Sequence, residues 1–89
     1  MEAVRLIIEG RVQGVGFRYF TQDAAQALQL TGWVHNLPNG GVEAYAEGTK
    51  LDLESWIGSL RQGPPMSRVE KIEIEWLIPK NSTADFSIR

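Results

Sequence analysis

The segment Gly14-Val15-Gly16-Phe17-Arg18 contains the residue types that point most directly to chemistry. Glycines let the backbone turn sharply and approach a ligand closely. If a helix begins at Phe17, its free N–H groups and the positive end of its dipole favour a bound anion. Arg18 then places a guanidinium in the first turn, where its N–H groups match two oxygens of a phosphoryl group. This segment predicts a local phosphate site.

The residues of this loop leave a plainer interpretation open, in which the glycines only turn the chain and Arg18 pairs with a surface carboxylate. Two nucleotide-binding patterns do not fit. The G-x-G-x-x-G pattern requires a third glycine, and the P-loop pattern G-x-x-x-x-G-K-S/T requires a lysine followed by serine or threonine. We therefore exclude both of these nucleotide-binding functions.

Asn36 is the second candidate, because its amide offers an acceptor and two donors to a water molecule or a ligand oxygen. An asparagine before a turn also serves as a turn former, so this alternative stays open. His35, the only histidine, is adjacent to Asn36, and adjacent strand residues point to opposite faces of a sheet. If Asn36 faces the site, His35 faces away, and we do not expect it to be the general base.

Hydrophobic periodicity predicts the elements that must position these residues. Alternating apolar residues predict strands over residues 4–12, 31–37, 41–48 and 68–78, with Val69 out of phase at a bulge and a fifth, edge strand at 86–88. Spacings of three and four predict helices over residues 17–30 and 50–61, the second capped by Thr49. This order predicts a ferredoxin-like βαββαβ sandwich, an α+β fold in which two helices cover one face of an antiparallel sheet of four to five strands.

Composition limits the remaining possibilities. A chain of 89 residues predicts one domain, residues 1–89, and the absence of cysteine excludes disulfides, thiolate zinc sites and a cysteine nucleophile. No apolar run approaches the roughly 20 residues of a membrane span, and the N-terminal residues lack a leader pattern. We therefore expect a cytoplasmic protein that does not contact a membrane, and the polar helix faces favour a monomer.

Nucleic acid is an unfavoured partner, because the formal net charge is −2. Four aromatic residues could in principle stack on bases: Trp33, Tyr45, Trp56 and Trp76. The aromatic signature segment of RNA-binding sheets is missing, and acidic residues lie beside several of these rings. Packing in the core or on the sheet surface is the favoured interpretation.

Two longer motifs resemble the signatures of a known family. The run Gly10-Arg11-Val12-Gln13-Gly14-Val15-Gly16-Phe17-Arg18 matches the first acylphosphatase signature, G-x-V-Q-G-V-x-F-R, at every fixed position. Gly32-Trp33-Val34-His35-Asn36, followed by Gly40, Val42 and Gly48, resembles the second signature. His35 departs from the basic or other polar residue more usual there. The resemblance extends over essentially the whole chain.

This resemblance implies hydrolysis of the carboxyl-phosphate bond of acyl phosphates to a carboxylate and inorganic phosphate, with no metal or organic cofactor. It implies that Arg18 binds the phosphate and that Asn36 orients the attacking water. The implied phosphate-binding loop consists of Gln13, Gly14, Val15, Gly16, Phe17 and Arg18. The alternative is a non-catalytic module of the same fold that binds phosphate or another anion.

Overall fold

The computed structural model describes residues 1–89 as five strands and two helices. In chain order these are β1 (Glu2–Arg11), α1 (Phe17–Ala27), β2 (Thr31–Asn36), β3 (Val42–Gly48), α2 (Lys50–Gln62), β4 (Arg68–Leu77) and β5 (Phe86–Ile88). This order confirms the predicted ferredoxin-like α+β fold and its fifth strand. No helix in the structure is long and apolar enough to cross a membrane.

The strands lie in the order β4-β1-β3-β2-β5. The four longer strands pair in the antiparallel manner that the sequence predicts, whereas β5 pairs with β2 in parallel. The connection of residues 78–85 starts and ends at the same end of the sheet, because β4 and β5 run in opposite directions. The sheet is therefore mixed, with one parallel pair at its edge.

The core lies between the sheet and the two helices. Alternate residues of β1, namely Val4, Leu6 and Ile8, are fully buried against it. Trp56 of α2 is fully buried as well, and its indole N–H donates to the carbonyl of Thr21 on α1 at 3.2 Å. This bond joins the two helices to each other within the core.

Helix α1 ends at Ala27, three residues before the predicted end at Leu30. Gln29 adopts a left-handed backbone with φ of 58°, and the N–H of Leu30 donates back to the carbonyl of Ala25 at 2.9 Å. This is a Schellman termination, which most often uses glycine at the left-handed position. Because glutamine occupies that position here, no glycine marks the end of the helix in the sequence.

The predicted bulge near Val69 is confirmed. Glu9 pairs with Lys71 while the next residue, Gly10, pairs with Val69, so that Glu70 is the extra residue of β4. A bulge bends and twists its strand locally. Here it lies where β1 leaves the sheet and enters the glycine loop.

Candidate active site

The sheet topology brings the two sequence candidates to the same end of the molecule. Strands β1 and β2 both pair antiparallel with β3. They therefore run in the same direction, and their C-terminal residues lie at the same end of the sheet. Ile8, Val42 and Asn36 form one row across these three strands. Ile8 and Val42 are buried under the helices, so Asn36 points to the helix side of the sheet, the side on which α1 begins.

The glycine loop between β1 and α1 is anchored in the core at both ends. Val12 and Phe17 are each only 1% exposed, and Val15 between them packs against the same core. Gly14 and Gly16 adopt φ of 73° and 77°, in the left-handed region that favours glycine. Apart from the adjacent residues, no atom lies within 4 Å of the place a Cβ would take on either glycine, so the backbone here is open to an approaching group.

The N–H groups of residues 13–19 donate no hydrogen bond to any acceptor within the protein. Helix α1 has Gly16 at its N-cap, with no side chain capping the helix and no acidic residue in its first turn. Successive free N–H groups around left-handed residues form concavities that bind anions, and the helix dipole adds to this effect. The loop is therefore a candidate anion cradle with its donors in the backbone.

Arg18 is partly buried and makes no ion pair. Among the cationic side chains, only Arg5, His35 and Lys71 lie within 4.0 Å of a carboxylate. The plainer interpretation, in which Arg18 pairs with a surface carboxylate, is therefore wrong. Arg18 lies in the first turn of α1, within the same segment as the free N–H groups.

Asn36 is partly buried, and its Oδ1 atom is buried with no hydrogen-bond partner in the protein. Buried acceptors are nearly always paired with protein or water, so an unpaired one calls for a donor such as a water O–H. The turn-forming role falls to a different asparagine. Asn39 Oδ1 accepts from the N–H of Gly41 at 3.0 Å within the β2–β3 hairpin.

The side chain of Gln13 does not face the cradle. Its Nε2 donates to the carbonyls of Leu37 and Gly41, both at 2.8 Å. The N–H of Leu37 donates to the carbonyl of Gly41 at 2.8 Å, so these two residues close the hairpin that follows Asn36. Gln13 therefore ties the glycine loop to the strand end that carries Asn36. Nothing in the sequence pattern showed in which direction this amide would point.

His35 lies on the opposite face of the sheet from Asn36, as the strand alternation predicts. Its Nε2 is 2.6 Å from Oε1 of Glu43, directly across from it on β3, and Arg5 Nε donates to Glu43 Oε2 at 2.5 Å. Burial alone would raise the pKa of Glu43, but the hydrogen bonds from His35 and Arg5 outweigh it and hold that pKa below 4.5. His35 is thus engaged away from the cradle.

The cavities of the structure lie elsewhere. The two larger ones have volumes of about 390 and 400 Å³, and neither is lined by Arg18, Asn36 or the residues of the glycine loop. The cradle is an open surface feature, which suits a small anion held by backbone donors better than a large buried ligand. Fold and loop together define a ferredoxin-like domain with a candidate anion-binding loop at the start of its first helix.

The family model for acylphosphatase matches residues 4–88. An acylphosphatase of Syntrophotalea carbinolica is 46% identical over 97% of this chain and 94% of its own length. The crystal structure of an acylphosphatase from Bacillus subtilis has a TM-score of 0.97 and 42% identity, and the match covers 100% of this chain and 99% of that one. A Coxiella burnetii acylphosphatase structure has a TM-score of 0.93 and 35% identity, over 99% and 92% of the two chains. The chain belongs to the acylphosphatase family.

Family membership confirms the resemblance stated from the two motifs. It also favours an enzyme over the alternative of a non-catalytic anion-binding module, because the matched relatives are acylphosphatases over nearly their full lengths. The roles of individual residues in this chain rest on the geometry of the cradle and of Asn36.

Proposed function

We propose that this protein hydrolyses acyl phosphates to a carboxylate and inorganic phosphate without a metal ion or an organic cofactor. The observation that carries the proposal is an unpaired Arg18 beside a loop of free N–H groups in a chain of this family. The loop of residues 13–18 binds the phosphoryl oxygens, with Gln13 contributing its backbone N–H.

Charge stabilisation is the main contribution of the cradle. Phosphoryl transfer passes through a loose transition state with negative charge on the peripheral oxygens and on the leaving group. Fixed N–H donors and the guanidinium of Arg18 stabilise this charge without having to reorganise. A carboxylate is a good leaving group, so the reaction needs no strong general acid.

Asn36 positions the water molecule that acts as the nucleophile. Its buried Oδ1 accepts a hydrogen bond from a water molecule, which orients the water oxygen toward phosphorus. An amide does not act as a base near neutral pH, and His35 is held by Glu43 on the other face of the sheet. The substrate phosphate itself therefore accepts the proton of the attacking water. A pH–rate profile governed by an enzyme group with a pKa near neutrality would contradict this step.

The test is hydrolysis of benzoyl phosphate by the wild type, Arg18→Ala and Asn36→Ala, with a chelator present and circular dichroism as the control for folding. Arg61→Ala is the matched control, because Arg61 is an exposed arginine in the last turn of α2. We expect turnover in the wild type and Arg61→Ala, and a loss of at least roughly a hundredfold in the two site variants. Near-normal turnover by Arg18→Ala would overturn the mechanism. Phosphate binding without wild-type turnover would support the binding module instead.

The proposal includes a single-domain monomer that acts in the cytoplasm on small acyl phosphates. It is supported by the mostly polar outer faces of both helices, on which Tyr19 and Leu51 are the exposed large apolar side chains, and by a sequence without cysteine. Sedimentation equilibrium gives the oligomeric state, and a mass near 10.0 kDa is expected. Fractionation of the producing cells gives the compartment.

A further inference from the structure

A groove crosses the face of the sheet that the helices leave uncovered. It has a volume of about 400 Å³, within the range of pockets that hold small organic ligands. Trp33, Tyr45 and Leu77 form its apolar part, and residues 78–85 form one wall as they cross the sheet. We call this feature the open-face groove. It lies on the opposite side of the sheet from Asn36 and has no part in the proposed hydrolysis.

The wall of the open-face groove is held in place by a buried carboxylate. Glu47 is 3% exposed, and its Oε2 accepts from the backbone N–H groups of Lys80 and Asn81 at 2.9 and 3.1 Å, and from the hydroxyl of Tyr45. Burial and the bond to Glu47 raise the pKa of Tyr45, which keeps its hydroxyl protonated as the donor. The wall and the floor are therefore joined by fixed hydrogen bonds.

The floor of the groove is a pair of stacked aromatic rings. Trp33 and Tyr45 are cross-strand neighbours whose ring centroids are 5.8 Å apart at an interplanar angle of 21°. Neither ring belongs to the helix-side core. Tyr45 is only 5% exposed, so the partly exposed ring of Trp33 is the surface on which a planar ring can stack, with Tyr45 supporting it from within the sheet.

The rim of the groove carries positive charge that no carboxylate neutralises. Lys80 and Arg89 make no ion pair, and the guanidinium of Arg89 lies 5.2 Å from the centroid of the Trp33 ring. Arg5, also in the lining, is neutralised by Glu43. In a protein with a net charge of −2, this arrangement favours one anionic group near the rings.

We propose that the open-face groove binds a small planar aromatic molecule that carries one anionic group, such as a nucleoside monophosphate or an aromatic carboxylate. A polyanion is disfavoured because Glu73 and Glu75 of β4 lie on the same face of the sheet, in the rows of Ile7 and Arg5. The RNA-binding alternative considered from the sequence combined stacking of bases on aromatic rings with binding of an extended chain. The groove is compatible with the stacking of one ring but not with the binding of an extended nucleic acid.

The probes are AMP and benzoate, each of which combines a planar ring with an anionic group. Adenosine is the control that has the ring without the anion, and inorganic phosphate is the control that has the anion without the ring. Binding to ¹⁵N-labelled protein is followed through amide shifts at residues 33, 45 and 80–82. We expect Trp33→Leu to weaken binding by about tenfold or more, because stacking on an aromatic ring contributes about that factor. Lys80→Gln, an exposed change, is expected to weaken AMP and benzoate but not adenosine. The two probes show which anion the groove prefers.

Two controls separate this site from the proposed active site. Trp76→Leu changes the other partly exposed tryptophan, which is 41% exposed and lies in the row of Val4 on the helix side. It should leave binding unchanged, as should Arg18→Ala. Trp33→Leu should hydrolyse benzoyl phosphate at the wild-type rate. The test of ligand binding in the groove is therefore independent of the test of the proposed hydrolysis.

Several outcomes overturn the inference. These are no shift with either probe at millimolar concentration, shifts confined to residues 13–19, or equal binding by the wild type and Trp33→Leu. Equal affinity for adenosine and AMP would refute the role of the anion. Tighter binding of an oligoadenylate RNA than of AMP would replace the small ligand with a nucleic acid.

Discussion

Replacement of Gln13 by alanine tests whether the glycine loop must be tied to the β2–β3 hairpin. The change removes two partly buried hydrogen bonds of 2.8 Å to the carbonyls of Leu37 and Gly41. Each carbonyl keeps one backbone partner, since Gly40 N–H donates to Leu37 and Leu37 N–H donates to Gly41. The net loss is then about 1 kcal/mol per bond, or about 2 kcal/mol in total, without an added penalty for stranded carbonyls. For a domain of this size, that lowers Tm by roughly 8 to 16 °C.

Gln13→Ala should lower the turnover rate much more than it weakens phosphate binding. The free N–H groups and Arg18 belong to one continuous segment, so the cradle keeps its own geometry when the tie is lost. Asn36 lies on the hairpin side of the tie, so the water that it orients shifts relative to the phosphorus. We expect kcat to fall by roughly tenfold to a hundredfold while the inhibition constant of inorganic phosphate changes by less than about threefold.

Gln22→Ala is the matched control for stability. Gln22 also donates from Nε2 to a backbone carbonyl, that of Phe86 at 3.1 Å, in a partly buried setting away from the cradle. It should lower the free energy of unfolding by about 1 kcal/mol with no change in kcat. Urea unfolding and steady-state kinetics at 25 °C measure both quantities. Equal losses of phosphate affinity and kcat in Gln13→Ala, or a loss of kcat in Gln22→Ala, would refute the reasoning.

Three further changes have expected outcomes. Glu43→Gln removes a carboxylate whose pKa is lowered in the fold, so its contribution is present above pH 4.5 and is lost as the pH falls below it. Because Arg5 is 42% exposed, we expect the variant to be only about 1 kcal/mol less stable at pH 7, and urea unfolding near pH 3 should show a smaller difference. Gly16→Ala places a methyl group in open space but at φ of 77°, so calorimetry should show only the backbone cost of about 1 to 2 kcal/mol, and a much larger loss would indicate a clash. Glu47→Ala leaves the Tyr45 hydroxyl and two backbone N–H groups without their acceptor, and we expect a loss of about 3 kcal/mol or more with faster hydrogen exchange at residues 80 and 81.

The sequence was sufficient for the order of the elements because each one carries its own local signal. The alternation in β1, the threonine cap of α2 and the out-of-phase Val69 are all visible within short windows, and each is found in the structure. The glycine loop was also predictable, because glycine adopts the left-handed backbone seen at Gly14 and Gly16 without steric cost. These features depend on neighbours along the chain.

The features that the sequence did not predict depend on contacts across the chain. The direction of the Gln13 amide is set by carbonyls 24 and 28 residues away. The direction of β5 is set by the connection of residues 78–85, which Glu47 holds against the sheet. The early end of α1 is different, because its left-handed residue is Gln29, and glutamine carries no local signal for that conformation.

The register of β2 against β3 joins these observations. His35 and Asn36 are consecutive, so their side chains must lie on opposite faces, and a slip of one residue would exchange them. The pair of His35 with Glu43, directly across from it, is satisfied only in the observed register. That pair also belongs to the face on which Trp33 and Tyr45 stack, so the register that completes the open face is the one that presents Asn36 beneath the helices. The position of Asn36 is thus stabilised by contacts that the proposed substrate never touches.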